Sequence, residues 1–281
     1  MADGMGAALR ALSAVPQIAE PVESARNACT ELRWHNALRK RMAECRIEAT
    51  VRAARASAAL EGARFPVAMV REVIGAGREV PDDPSGAQLA AAVRVAAVAE
   101  DLQTRPDALR TGFLHTLSKL ALAAGAGLAP EEQIGRPRIA GEEPGDLGGL
   151  PPAPDPTEVT ERLSALEDLL ADPTLPGLVV ASILHGEILA LRPFVVGNGL
   201  VARALFRIHL VSTGVDPTGV CVPEAAFLSD ATGYGQGGAA YTSGNDVPGW
   251  IVACADAVEK GAGEGRTVCQ AVQSGRVPQS T

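Results

Sequence analysis

The chain has 281 residues but only five Phe, two Tyr and two Trp, 3% aromatic against 47% hydrophobic overall. A core of that size must be assembled from Ala, Leu, Val and Ile. Alanine brings little surface of its own, so such a core closes only where backbones approach each other, and helices carry alanine best. The expectation is an all-α fold around one sizeable core. The formal charge is −8, from 25 basic and 33 acidic residues, and no Lys/Arg run stands out, which argues against nucleic acid as a partner. Cys29, Cys45, Cys221, Cys254 and Cys269 are odd in number and form no C-x-x-C pair, as expected of reduced thiols rather than a disulfide framework or zinc site. The first residues lack a basic start and a sustained apolar run, so no signal peptide is read. The apolar stretch at Leu178–Leu184 is too short to span a bilayer. These readings place the chain in the cytoplasm, away from membranes.

Helical composition without Gly or Pro predicts a long helix over Pro21–Leu60, and Pro66 opens a short one ending near Gly75 to Gly77. Further helices are expected at Pro84–Gln103, Pro106–Ala124, Pro156–Ala171, Leu175–Leu191, Gly199–Ser212 and Val247–Lys260. The segment from Arg136 to Pro156 is rich in Gly and Pro and holds the one plausible short strand, around Arg138–Ala140. A Gly-rich stretch, Gly233 to Gly244, reads as a spacer, and the chain after Gly261 reads as loose. The division that follows is an N-terminal helical extension over 1–80, a core over 81–262 and a loose tail over 263–281.

Gly197-Asn198-Gly199 precedes a helix, and such a turn suits an anion. Glycines let backbone approach it, and the unpaired N–H groups of the helix start point at it. Arg203, one turn further on, can grip the same anion bidentately. The turn sits in a longer run, Leu191-Arg192-Pro193-Phe194-Val195-Val196-Gly197-Asn198-Gly199-Leu200-Val201-Ala202-Arg203. This run resembles the signature of the Fic family, H-P-F-x-D/E-G-N-G-R-x-x-R. Pro193, Phe194, Gly197, Asn198, Gly199 and Arg203 match it. Arg192, Val196 and Leu200 replace the histidine, the acid and the first arginine. Upstream, Ser57-Ala58-Ala59-Leu60-Glu61-Gly62 resembles the family's inhibitory motif, S/T-x-x-x-E-G/N. Leu184 to Glu187, Asp216, Pro217, Tyr241 and Trp250 suit the helices around the signature, so the likeness spans roughly residues 45–262.

The resemblance implies a Fic-fold helical bundle with a short β-hairpin flap at Gln133–Ala140. In the family the fold carries AMP transfer from ATP to a protein hydroxyl. Arg192, Gly197, Asn198, Gly199 and Arg203 would form the anion site, and the resemblance implies an inhibitory latch made by Ser57, Glu61 and Gly62, with Glu61 paired to Arg203. It also implies a protein partner docking at the flap, and admits a homodimer. The replacements speak against the reaction. Arg192 stays protonated and cannot act as base, a role worth about 10²–10⁴ in rate. Val196 has no oxygen for Mg²⁺, and Leu200 removes a charge. No catalytic residue and no metal ligand is assigned, and the cofactor expected is an ATP- or ADP-like nucleotide held without metal. The function expected is therefore binding of a phosphate ligand or a protein by an impaired transferase. Two readings of Arg192 stand side by side: a cation at the mouth of the cradle, or an ion-pair partner of Glu187.

Two rival functions remain. One is a live transferase of altered nucleotide or substrate. The other is an NAD-binding oxidoreductase, since Gly197 to Ala202 also satisfies G-x-G-x-x-G/A with Asp216 downstream, although that fingerprint requires a preceding strand. His35, His115, His185 and His209 show no ligand spacing and read as packing residues. His185 lies two turns before Arg192, on the same side of a helix. Ser182 and Ser212 have no assignable Asp/His partners.

Overall fold

A computed structural model describes residues 2–276 apart from 106, 146 and 148. The chain folds as α1 (Ala2–Ser13), α2 (Pro16–Arg33), α3 (Asn36–Lys40), α4 (Met42–Leu60), α5 (Val67–Ala76), α6 (Pro84–Gln103) and α7 (Ala108–Gly125). After a 3-10 turn at Glu131–Gln133 come α8 (Pro156–Ala171), α9 (Gly177–Leu191), α10 (Asn198–Ser212), α11 (Pro223–Ser229), α12 (Ala231–Thr242) and α13 (Val247–Gln273). No strand occurs among the described residues, only an isolated bridge between Ala126 and Ala129. None of these helices is long and apolar enough to cross a membrane.

Local chemistry explains many of the boundaries. Asp83 accepts a hydrogen bond from the Gly86 amide to open α6, with Pro84 in the first turn. Asp155 does the same for α8 through Thr157 and Glu158. Such caps satisfy amides that have no partner inside the helix. The Pro106 expected in the first turn of α7 lies outside the described residues.

The single helix expected over Pro21–Leu60 is instead three. The His35 ring accepts from the Ala37 amide at 3.2 Å and starts α3 anew, and Arg41 leaves helical geometry before α4 begins.

Two further expectations are corrected toward the C-terminus. The Gly233 to Gly244 stretch is not a spacer but contains most of α12, capped by Asp230 and packed through Tyr241 against α9. The last helix does not end at Lys260. It runs on to Gln273, burying Val268, Cys269 and Val272 along one face, so the loose tail expected from residue 263 is helical as far as Gln273. An apolar face outweighs the intrinsic cost of helical glycines, about 1 kcal/mol each relative to alanine.

At the centre lie α9 and α10. Nearly every residue of α9 is buried, and α10 is buried from Asn198 to Leu210. A helix apolar on all sides belongs inside a bundle, and α4, α6, α7, α12 and α13 surround this pair. The longest helix, α13, lies along α2, with Ser24 bonded to Glu259 at 2.8 Å. It also reaches α4: Arg52 meets Glu264 at 2.5 Å, and the Arg41 guanidinium donates to the Val272 carbonyl. Arg52 and Arg71 both hold the buried carboxylate of Glu48, which ties α4 to α5.

Close backbone approach marks the α13 contact, as an alanine-built core requires. A Cβ on Gly265 would stand 2.7 Å from the Val220 carbonyl oxygen and 2.8 Å from Leu32 Cδ2. Gly265→Val should therefore lower the urea midpoint by the equivalent of about 1–3 kcal/mol, the usual cost of overpacking. Gly263→Ala, whose nearest neighbour would be Arg266 Nη2 at 4.0 Å, should leave stability unchanged or raise it.

Candidate functional site

The site is built on the turn between α9 and α10. Arg192 closes α9 in a left-handed conformation, φ 41°, and Pro193 then prevents the helix from continuing. The fully buried Asn198 side chain pins the turn from within. Its Oδ1 accepts from the Phe194 amide at 2.9 Å, and its Nδ2 donates to the Phe194 carbonyl at 2.8 Å. Gly197 adopts φ 79°, and a Cβ there would lie 2.6 Å from that of Ala124 in α7. The turn is thus fixed on both sides, and α10 begins from it.

The chain's own carboxylate stands there. Glu61, just past the end of α4, places Oε1 only 2.3 Å from where a Cβ of Gly199 would be. A glycine is required for that approach. The positive end of α10 favours an anion at this spot. Arg203, 1% exposed, donates from Nη2 to Glu61 Oε1 at 2.6 Å. Its Nε donates to Ser57 Oγ at 3.0 Å, and Nη2 also reaches the Ser57 carbonyl at 3.3 Å. The expected pairing of Glu61 with Arg203 is present, with Ser57 as its second point of attachment and Gly62, φ 91°, turning the chain away.

Behind Arg203 lies a residue that sequence reading missed. Tyr234 of α12 stands 3.4 Å from Arg203 Nη1 and 2.9 Å from His185 Nε2 through its hydroxyl. His185 is enclosed by Phe206, Phe227, Tyr234 and Trp250, with ring centroids 5.1–5.6 Å away. It is a packing histidine whose Nε2 meets the Tyr234 hydroxyl. Burial lowers the Arg203 pKa, but Tyr234 and Glu61 outweigh it and hold the guanidinium above its ordinary value. Burial, opposed by Arg203, pushes the Tyr234 phenol up to about 12.

The changed signature positions lie elsewhere. The Arg192 guanidinium is buried and donates to the Pro151 carbonyl. Its pairing with Glu187 is not formed, because Arg162 holds Glu187 at 2.8 Å and Tyr241 donates to it at 2.9 Å. Val196 is half-buried, and Leu200 is buried in the core on the α4 and α6 side. Among the described residues no group of three His, Cys, Asp or Glu could hold a metal.

The β-hairpin flap expected at Gln133–Ala140 is absent, and so is the strand around Arg138–Ala140. Pro137 has no N–H, the Arg138 amide already donates to the Pro193 carbonyl at 2.7 Å, and the Ile139 amide donates to Glu142 at 2.9 Å. The amides of Arg138 and Ile139 are thus engaged outside any hairpin. An ion pair between Arg136 and Glu142 at 2.7 Å closes the segment as a turn, and Arg136 holds the Glu142 carboxyl down at about 2. Arg138, also missed, is 4% exposed and threads its Nε to the Arg192 carbonyl at 3.0 Å. Further on, the Gly145 amide donates to Val195 at 2.8 Å, and Leu147, φ 58°, places Cδ2 3.2 Å from a Cβ position on Gly199. The chain thus lies across the turn as irregular backbone. The oxidoreductase reading also fails, because helix α9 stands where its strand is required. Asp216 instead caps a turn through Thr218 and Cys221.

Two measurements test this account. Glu61→Ala should cost about 3–5 kcal/mol in urea unfolding, the usual penalty for orphaning a buried charge, and Arg203→Met in the same chain should restore most of it. An unchanged midpoint in Glu61→Ala would contradict the pair. The second concerns pH. Burial pushes His209 down to about 4, and burial together with Arg203 pushes His185 well below its ordinary value. In the unfolded chain histidine titrates near ~6.5. Because the folded state binds fewer protons, this stability is complete above that pH and is lost as pH falls toward the folded values. The midpoint should decline from about pH 6.5 toward pH 4, and His209→Leu should make the decline shallower.

No family model matches the chain, and no curated protein matches it. Solved structures do. A Fic family protein from Desulfovibrio desulfuricans superposes with a TM-score of 0.74 at 22% identity, over 94% of this chain and 77% of that one. A Fic domain containing signaling protein from Bacteroides thetaiotaomicron gives 0.67 at 15%, over 89% and 98%. Fic-1 from C. elegans gives 0.61 at 18%, over 89% and 71%. With the turn, the arginine and the upstream glutamate in these positions, the chain has the Fic fold.

Proposed function

We propose that this protein keeps the anion cradle of a Fic fold as a binding site and does not transfer AMP. The observation that carries the proposal is the Glu61 carboxylate, seated on Gly199 and bonded to Arg203 at 2.6 Å. A built-in anion held there by a buried cation marks the place of an external one, and the ligand class that suits it is a nucleotide phosphate. The three replaced positions argue against transfer. A guanidinium at residue 192 takes up no proton from a hydroxyl at ordinary pH, and here it is engaged with Pro151. Valine at 196 offers no oxygen, so the donor set does not fit Mg²⁺. Leu200 carries no charge and is buried. On this reading Glu61 and the ligand compete for Arg203, and residues 1–80 serve as the extension that carries the competitor to the core.

Calorimetric titration with ADP and ATP, with and without Mg²⁺, tests it. Glu61→Gly should bind both nucleotides more tightly than the unaltered chain, by about tenfold or more (roughly 1.4 kcal/mol), and Mg²⁺ should change neither. Bound nucleotide should also raise the melting temperature that the substitution lowers. Absence of binding by both proteins in every condition would end the proposal. Incubation with labelled ATP and lysate covers the alternative of a live transferase: Mg²⁺-dependent protein labelling that rises in Glu61→Gly would establish it.

A further inference from the structure

The five cysteines are buried free thiols, yet four of them meet in pairs across the fold. Cys29 of α2 lies against Cys221, and Cys45 of α4 lies against Cys269 of α13. The second meeting follows from how its helices cross. Arg41, just before α4, donates to the Val272 carbonyl, and Arg52 meets Glu264 at 2.5 Å. The two helices therefore run antiparallel. Cys45, one turn after Arg41, comes opposite Cys269, one turn before Val272.

The thiols of this pair are unequal. Cys269 donates a hydrogen bond to the Cys45 sulfur, which holds Cys45 below the ordinary thiol range although burial and Glu44 oppose it. Arg41 acts in the same direction as Cys269. That same bond, together with burial, pushes Cys269 up. A lowered thiol beside one that keeps its proton is the arrangement of an attacking and a resolving cysteine. The other pair lacks it, since burial pushes Cys221 well up and its thiol donates to the Val258 carbonyl at 3.3 Å. Access differs too. Cys269 lies one turn from the end of α13, where Gln273 and Ser274 are exposed, and helix ends open locally at little cost. Cys221 is covered by the middle of that helix, at Val258 and Gly261.

We infer that Cys45 and Cys269 form an oxidisable pair that hydrogen peroxide closes into a disulfide, fastening the start of α4 to the last turns of α13. The Cys45 thiolate attacks one peroxide oxygen: an S–O bond forms, the O–O bond breaks, and the departing hydroxide takes up the proton that Cys45 released. The Cys269 sulfur then attacks the sulfur of the Cys45 sulfenic acid. An S–S bond forms, the S–O bond breaks, and hydroxide leaves as water with the Cys269 proton. The two thiols together lose two electrons, and one peroxide becomes two waters. The inference is independent of what the cradle binds.

Hydrogen peroxide added to the folded full-length protein should give a species lighter by two hydrogen atoms. Peptide mapping without reductant should place the link between Cys45 and Cys269. The melting temperature of this species should rise by about 4 °C or more and fall back with dithiothreitol. In Cys269→Ala, whose melting curve shows that it is folded, dimedone should instead label Cys45 as the sulfenic acid. No loss of hydrogen from the folded protein would overturn the inference, as would a link between Cys29 and Cys221 in its place. An unlabelled Cys45 in folded Cys269→Ala would overturn its role as the attacking thiol, and a linked protein that melts no higher would overturn the fastening.

Discussion

A single ion pair, Arg203 with Glu61, organises this molecule. Both side chains are almost wholly withdrawn from water, at 1% and 8% exposure. Taking two charges from water costs several kcal/mol each, and mutual attraction offsets this only where geometry is close and other polar atoms are satisfied. Here Ser57 and Tyr234 supply those further partners. Such a pair adds little net stability over a well-packed apolar contact, but it leaves few alternatives for how α4 can dock on α10. The register of the N-terminal helices against the central hairpin follows from it.

Rigidity on the other side of the pair has a different origin. The turn before α10 holds its shape through one amide side chain, Asn198, bonded to both polar atoms of the Phe194 backbone. Arg138 and Gly145 add two backbone bonds to the same turn from outside. Further along α10, Arg207 lies 3.8 Å from Glu224 of α11, and burial raises the Glu224 carboxyl even though Arg207 opposes it. One helix therefore carries two buried guanidinium groups, each answered from a different neighbour. That arrangement ties α4 and α11 to α10 by charge where alanines alone would slide.

Much of this was legible in the residues. The stretches beginning at Pro84 and Pro156 were read as the helices that became α6 and α8, and the run from Pro193 to Arg203 pointed to the turn before α10. Glu61 followed from its own hexapeptide. What escaped was set by tertiary context. Gly233, Gly235, Gly237 and Gly238 have poor helix propensity, yet Asp230 caps the segment and Tyr241 packs it, so α12 forms. Tyr234 sits within that stretch, and nothing local distinguishes it from a spacer residue. Gly261, Gly263 and Gly265 look like a helix ending, but two of them are the points at which α13 touches its neighbours most closely. The missing hairpin failed for a nearer reason, since Pro137 and the already committed amides of Arg138 and Ile139 leave no ladder to build.

The continuation of α13 has a consequence for the glutamate 200 residues before it. Glu264 and the Val272 carbonyl brace Arg52 and Arg41, the first within α4 and the second just before it, and Glu61 follows the end of that helix. A stretch whose composition suggests an expendable terminus is a strut for the α4 arm. Shortening the protein there would slacken the arm from its base while leaving Ser57, Glu61 and Arg203 in the chain.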